Sequence, residues 1–285
     1  MKRREFFGVA AALSLLATSE FLNANEQERI SKMANKLANL TPKAKEAYES
    51  LYGGIFPLEV SDPEFSEIYL NFLFDDVAGE INLSKSERSM ISLACLIGAG
   101  STNAYERAVG IALKNGVTPE AIKEILYQSV AYVGFARAER CFYACDRAFK
   151  ENGVKLPLKD RKTVTQENRQ AKGLEVQKAY FPNIEKNNAS APADQQHIRK
   201  FLSANCFGDY YTRGGLDLKT RELMTFVYIA SLGFAQPQLK GHVAGNLTAG
   251  NDRAKLIDTV TAMIAFIGYP RSLNALSAID EITKK

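Results

Sequence analysis

The chain repeats itself. Gly116, Gly134, Arg137 and Asp146 recur as Gly250, Gly268, Arg271 and Asp280, each 134 residues later. Arg88 recurs as Arg221 at an offset of 133, so one helical hairpin differs between the copies by a single residue. A duplicated unit of this size narrows the possible folds sharply.

Within each copy the apolar residues fall at helical spacing, and glycine, asparagine and proline mark the breaks. Thr118-Pro119-Glu120 gives an N-cap, a proline at the first helical position and an early acid. No stretch shows the period-two alternation of a strand. The fold class expected is all-α, built of two helical repeats. Residues 25–61 read as lead-in helices and 62–153 as the first repeat. Residues 154–195 read as a connection with a second lead-in helix, most loop-like from 184 to 192, and 196–285 as the second repeat.

Residues 1–24 read as a signal peptide. Lys2-Arg3-Arg4 precede Phe6-Phe7 and an apolar run from Gly8 to Ala17, too short to span a bilayer. The Arg-Arg-Glu-Phe-Phe order is similar to a twin-arginine export signal, although Lys2 stands where Ser or Thr is usual. This predicts a periplasmic or otherwise exported protein without a stable membrane span. The net charge of +4 is modest and its basic residues are dispersed, which gives no nucleic-acid footprint. The four cysteines, Cys95, Cys141, Cys145 and Cys206, include no Cys-x-x-Cys and read as buried free thiols. With two histidines in all, neither a metal site nor another cofactor is expected.

Two residues stand against the pattern. Glu222 falls on the apolar stripe that runs through Phe226, Ile229 and Gly233, where a carboxylate needs a partner. The alternative is a first-turn acid that complements the helix dipole. His242 lies on the next helix, with Leu239, Val243 and Asn246 as helical neighbours. The short loop at Gly233 packs these two helices antiparallel, so His242 is the natural partner for Glu222. The other copy acts as a control. It has Ser89 in place of Glu222 and Ala108 in place of His242, so both groups are absent together. Such joint loss is expected of one acid–base unit, because either group left buried alone is costly.

The order Leu216 to Leu223 with its Arg-Glu-Leu, a glycine-marked bend, Leu239-Lys240-Gly241-His242-Val243 and Ile267-Gly268-Tyr269-Pro270-Arg271-Ser272-Leu273 resembles the carboxymuconolactone decarboxylase family, which shares its fold with the AhpD-like alkylhydroperoxidase accessory proteins. Leu83 to Arg88, Asn115 to Glu120 and Tyr132 to Phe135 carry a similar resemblance in the first half. The resemblance implies two AhpD-like helical repeats packed as a pseudo-dimer, with Glu222 and His242 matching the glutamate and histidine of the AhpD-like proton relay. The two relay cysteines would fall near Ala235 and Gln238, so dithiol peroxidase chemistry is not implied here. The namesake reaction implies His242 as acid and base and Glu222 as its orienting group. It also makes Arg271, Cys206 and Tyr269 candidate substrate-binding residues, acting on a small lactone or carboxylate. Arg271 has a second reading as a solvated surface arginine. The first half is expected to act as a structural partner, and a trimer of two-repeat chains follows from how family members assemble. Two other readings stay open: peroxiredoxin-type antioxidant activity through Cys206 or Cys141 and Cys145, and non-catalytic small-molecule binding or assembly.

Overall fold

The computed structural model describes residues 37–53 and 56–283; the stretch 1–24, expected as a signal peptide, and the start of the lead-in segment, 25–36, lie outside them. The described residues are helical, with no strands among them. None of their helices is long and apolar enough to cross a membrane. The chain divides into two compact units between Asp75 and Asp76.

In the first unit α1 (Pro42–Tyr52) starts at the Thr41 N-cap, whose hydroxyl accepts from the Ala44 amide. Helix α2 (Pro63–Asn71) continues into a π-helical stretch, Phe72–Val77. Tyr48, Phe56 and Leu70 make a small core, and the Tyr48 hydroxyl donates to buried Glu59 at 2.6 Å.

The second unit holds the rest. Helices α3 (Lys85–Ala99), α4 (Thr102–Lys114), α5 (Pro119–Val133) and α6 (Phe135–Glu151) come from the first repeat. The connection carries α7 (Arg169–Tyr180) and α8 (Ile184–Ala189). Residues 184–192, expected as loop, are therefore helical in part, anchored by buried Ile184. The second repeat runs through α9 (Gln196–Phe201) with its π-helical extension Leu202–Tyr211, then α10 (Leu218–Leu232), α11 (Gln236–Thr248) and α12 (Arg253–Thr283).

The two copies fold alike because their local signals agree. Ser84 caps α3 in a capping box with Glu87, and Asp217, at the matching position, caps α10 by accepting from the Thr220 amide at 2.7 Å. Gly134 separates α5 from α6 at φ 79°, and Gly268 breaks α12 at φ 74°, a backbone conformation costly for any side chain bearing a Cβ. One core runs through both repeats. Its centre is the α3–α10 contact, where Gly98 meets Ser231 and the backbone of Tyr228, and Cys95 accepts from the Ser231 hydroxyl at 3.4 Å. Gly98 and Cys95 hold the places in α3 that Ser231 and Tyr228 hold in α10. A pair that contacts its own counterpart is the signature of a two-fold, here inside one chain.

Candidate functional site

Glu222 is one turn into α10 and wholly buried. His242 projects from the middle of α11, with its side chain 14% exposed. Its Nδ1 lies 2.6 Å from Glu222 Oε1. With the carboxylate ionised, Nδ1 carries the shared proton and the Nε2 lone pair is left to act as a base. The approach depends on Gly245, one turn further along α11. A Cβ there would overlap Glu222 Oε1 and press on Phe181.

The backbone around the pair is fixed by two asparagines. Asn246 donates to the carbonyls of Glu222, at 3.0 Å, and of His242, at 2.7 Å. Asn251 donates to the Asn246 side-chain oxygen and to the Lys219 carbonyl, which ties the start of α10 to the end of α11. The second carboxylate oxygen, Glu222 Oε2, accepts from the Tyr211 hydroxyl at 2.7 Å. Tyr211 sits at the end of the π-helical stretch and is buried. Its oxygen is 2.6 Å from Thr225 Oγ1 and 3.1 Å from the Tyr132 hydroxyl.

Tyr132 belongs to α5, in the first repeat, and so does Gln128. Gln128 donates to Thr225 Oγ1 at 2.9 Å and to the Arg221 carbonyl at 2.8 Å. The first repeat is thus more than a packing partner, since it supplies part of the polar network beneath the pair. The imidazole is bounded by two rings met edge-on: Tyr132, at 5.7 Å between centroids, and Phe181, at 5.5 Å, from the connection. Arg221, also fully buried, turns away from Glu222. It donates to Glu124 of α5 at 3.0 Å, to Gln128 Oε1 and to the carbonyls of Arg213 and Gly214.

The remaining sequence candidates lie elsewhere or play other parts. Cys206 is buried at the edge of the network, its thiol donating to the Tyr132 hydroxyl at 3.3 Å. Burial pushes its pKa up to about 12. Cys95 and Cys145 are likewise pushed up to about 12, and Cys141 to about 11, in each case chiefly by burial. Arg271 donates to the Ser231 carbonyl at 2.8 Å, at the C-terminal end of α10. Arg137 makes the matching bond to the Gly98 carbonyl at 3.0 Å. Both arginines thus satisfy a helix-end carbonyl. Tyr269 is 61% exposed at the surface and Phe135, its counterpart, is exposed as well.

Across the pseudo-two-fold the whole constellation is replaced. Ser89 and Ala108 stand for Glu222 and His242, and Ile111 stands for Gly245. Asn246 and Asn251 become Ala112 and Val117, while Gln128 and Tyr132 correspond to Ala262 and Phe266 in α12. Tyr211 precedes Glu222 by eleven residues, and the residue at that distance before Ser89 is Ala78. The Ser89 hydroxyl is satisfied locally, donating to the Lys85 carbonyl and accepting from Asn115. The network is therefore kept entire on one side and replaced on the other. Sequence reasoning missed Tyr132, Gln128, Tyr211, Asn246 and Asn251. The repeat offset held a signal for most of them, as polar residues facing Phe, Ala or Val in the other copy.

The chain matches the carboxymuconolactone decarboxylase family twice, over residues 63–146 and 196–281. It belongs to that family. A 4-carboxymuconolactone decarboxylase from Acinetobacter baylyi is 23% identical over 95 residues, 32% of this chain and 71% of that protein. An uncharacterized 15.0 kDa protein from Paracoccus denitrificans is 31% identical over 119 residues, 39% of this chain and 84% of that protein. A crystal structure from Burkholderia xenovorans, of a protein assigned provisionally as a gamma-carboxymuconolactone decarboxylase subunit, is similar at a TM-score of 0.50 and 18% identity. That likeness covers 85% of this chain and 96% of the other, and it supports the fold.

Proposed function

We propose that this protein is an exported, cofactor-independent enzyme of the carboxymuconolactone decarboxylase type, with one acid–base site per chain acting on a small lactone or carboxylate. The observation that carries this reading is the 2.6 Å contact between His242 Nδ1 and the buried Glu222 carboxylate. In a decarboxylation the bond to the carboxylate carbon breaks, carbon dioxide leaves and the electron pair stays on the ring as an enolate. Protonated His242 stabilises that charge and then delivers its proton to carbon, and Glu222 holds the imidazole in place throughout. The Acinetobacter relative, by its name, acts on a substrate of this class. Export rests on Arg3, Arg4 and the apolar run after them. The four buried thiols, with pKa values raised to 11–12, weigh against a cysteine nucleophile.

The test is carbon dioxide release from a carboxylated unsaturated lactone. Wild-type turnover should fall by about 10²-fold or more in His242→Ala and in Glu222→Gln. No turnover by the wild type, or equal turnover by His242→Ala, would remove the proposal.

A further inference from the structure

The structure contains a chain of hydrogen bonds that an acid–base pair alone does not require. It runs from the Cys206 thiol to the Tyr132 hydroxyl, on to the Tyr211 hydroxyl and then to Glu222 Oε2. We propose that Tyr211 and Tyr132 are positioning residues for the Glu222–His242 pair, part of a one-way series of donors that passes through the first repeat and holds Glu222 as a carboxylate. This inference rests on the acid–base reading above and extends it across the repeat boundary.

The direction of the chain follows from what each group can do. An ionised carboxylate only accepts, so Tyr211 must give it its single proton. Tyr211 then receives from its other neighbours, which makes Tyr132 the donor at 3.1 Å and Thr225 the donor at 2.6 Å. Thr225 Oγ1 also lies 3.1 Å from the Arg221 carbonyl, which Gln128 already satisfies at 2.8 Å, so the shorter contact to Tyr211 takes the Thr225 proton. Tyr132, having donated, accepts from Cys206. Both tyrosines keep their protons: burial, reinforced by the negative charge of Glu222, pushes their pKa well above the usual 10.

The titratable groups facing the pair are few. The π-helical stretch presents Tyr211 and Cys206, α5 presents Tyr132, and α7 presents Tyr180, whose pKa is raised by burial and by Glu222 and Asp217. Arg221 is engaged with Glu124 on the far side of α10. Tyr211 is thus the hydroxyl that shares the carboxylate with His242. A donor to a carboxylate favours its charged form. Losing that donor lets the pair bind its proton more tightly, so its apparent pKa rises. The counterpart positions, Ala78 and Phe266, lack both hydroxyls where the pair itself is missing.

The experiment is an NMR pH titration of the two histidines in the full chain. His197, on α9, serves as the internal reference. In Tyr211→Phe the His242 titration should move up by about one unit, the scale of one hydrogen bond to a charged group. In Tyr132→Phe it should move up by less, because that hydroxyl acts only by polarising Tyr211. His197 should not move. A merely structural role would lower thermal stability and leave the His242 titration where it was, and that result, or a downward shift, overturns the proposal. Should Tyr211→Phe fail to fold, Tyr132→Phe, which removes one oxygen, gives the same decision. Glu222→Gln separates the two levels of the argument. If it leaves His242 unmoved, the acid–base pair itself is wrong. If it moves His242 while both Tyr→Phe variants do not, the pair stands and the tyrosine chain falls.

Discussion

Gly245 and Glu222 compete for the same space: the carboxylate oxygen that meets His242 lies where a side chain on Gly245 would begin. This glycine is therefore a condition of the pair and not a flexible point in α11. Gly245→Ala should displace the carboxylate and cost about 1–3 kcal/mol, the usual penalty of overpacking. Gly241 sits one turn away with nothing within 4 Å of its would-be Cβ. There Gly→Ala should stabilise by about 0.5–1 kcal/mol through helix propensity alone. Denaturant unfolding of the two variants measures both, and opposite signs are expected.

The matching bonds of Arg137 and Arg271 predict matching phenotypes. Each guanidinium holds a carbonyl near the end of a core helix, Gly98 and Ser231 respectively. Arg137→Ala and Arg271→Ala should each lower stability by about 1–2 kcal/mol. Arg271→Ala should leave KM within a few-fold of wild type. A large rise in KM for Arg271→Ala alone would reinstate it as a substrate-binding residue.

Glu124 and Arg221 form a buried ion pair between α5 and α10, and so between the repeats. Removing one member strands the other without water, and the cost expected is about 3–5 kcal/mol. Glu124→Ala should therefore unfold at markedly lower denaturant concentration. Glu124 also accepts from Arg213 Nε at 3.0 Å, so both arginines lose their buried carboxylate at once. Substitution of the surface Arg147–Glu106 pair, by contrast, should leave the unfolding midpoint nearly unchanged.

The thiols offer a pH prediction. With pKa values pushed up to 11–12 by burial, the thiolate fraction at pH 8 is roughly one in a thousand or less. Iodoacetamide should leave the native protein unlabelled at pH 8 and label all four cysteines once it is unfolded. Labelling should rise only as pH approaches the raised pKa values. Rapid native labelling of Cys206 would revive the antioxidant reading.

The helices were legible because each carries its own caps and breaks. Thr118-Pro119, Asp217 and Gly134 act on their immediate neighbours, and such local effects survive in a linear reading. The Glu222–His242 contact was legible for a related reason, since one short loop joins their helices. Tyr132 and Gln128 were not, because they reach the site from α5, about 90 residues away from Glu222, through the packing of one repeat on the other. Arg271 read as a candidate ligand because a carbonyl near a helix end leaves no trace in composition. The residues from 184 to 192 read as loop because helix α8 is too short to show a period, and Ile184 is its one buried residue.

The difference between Tyr132 and Phe266 has a bearing on how such a chain can change over time. In an assembly of identical copies, a substitution appears at every symmetry-related place, so a hydroxyl cannot be gained at one site and dropped at the other. Joining the copies in one chain removes that constraint. One face can be refined oxygen by oxygen while the opposite face drifts toward pure packing, and each change is tested by selection separately. The tandem arrangement thus gives the fold the freedom of a heterodimer with the guaranteed pairing of a single gene product.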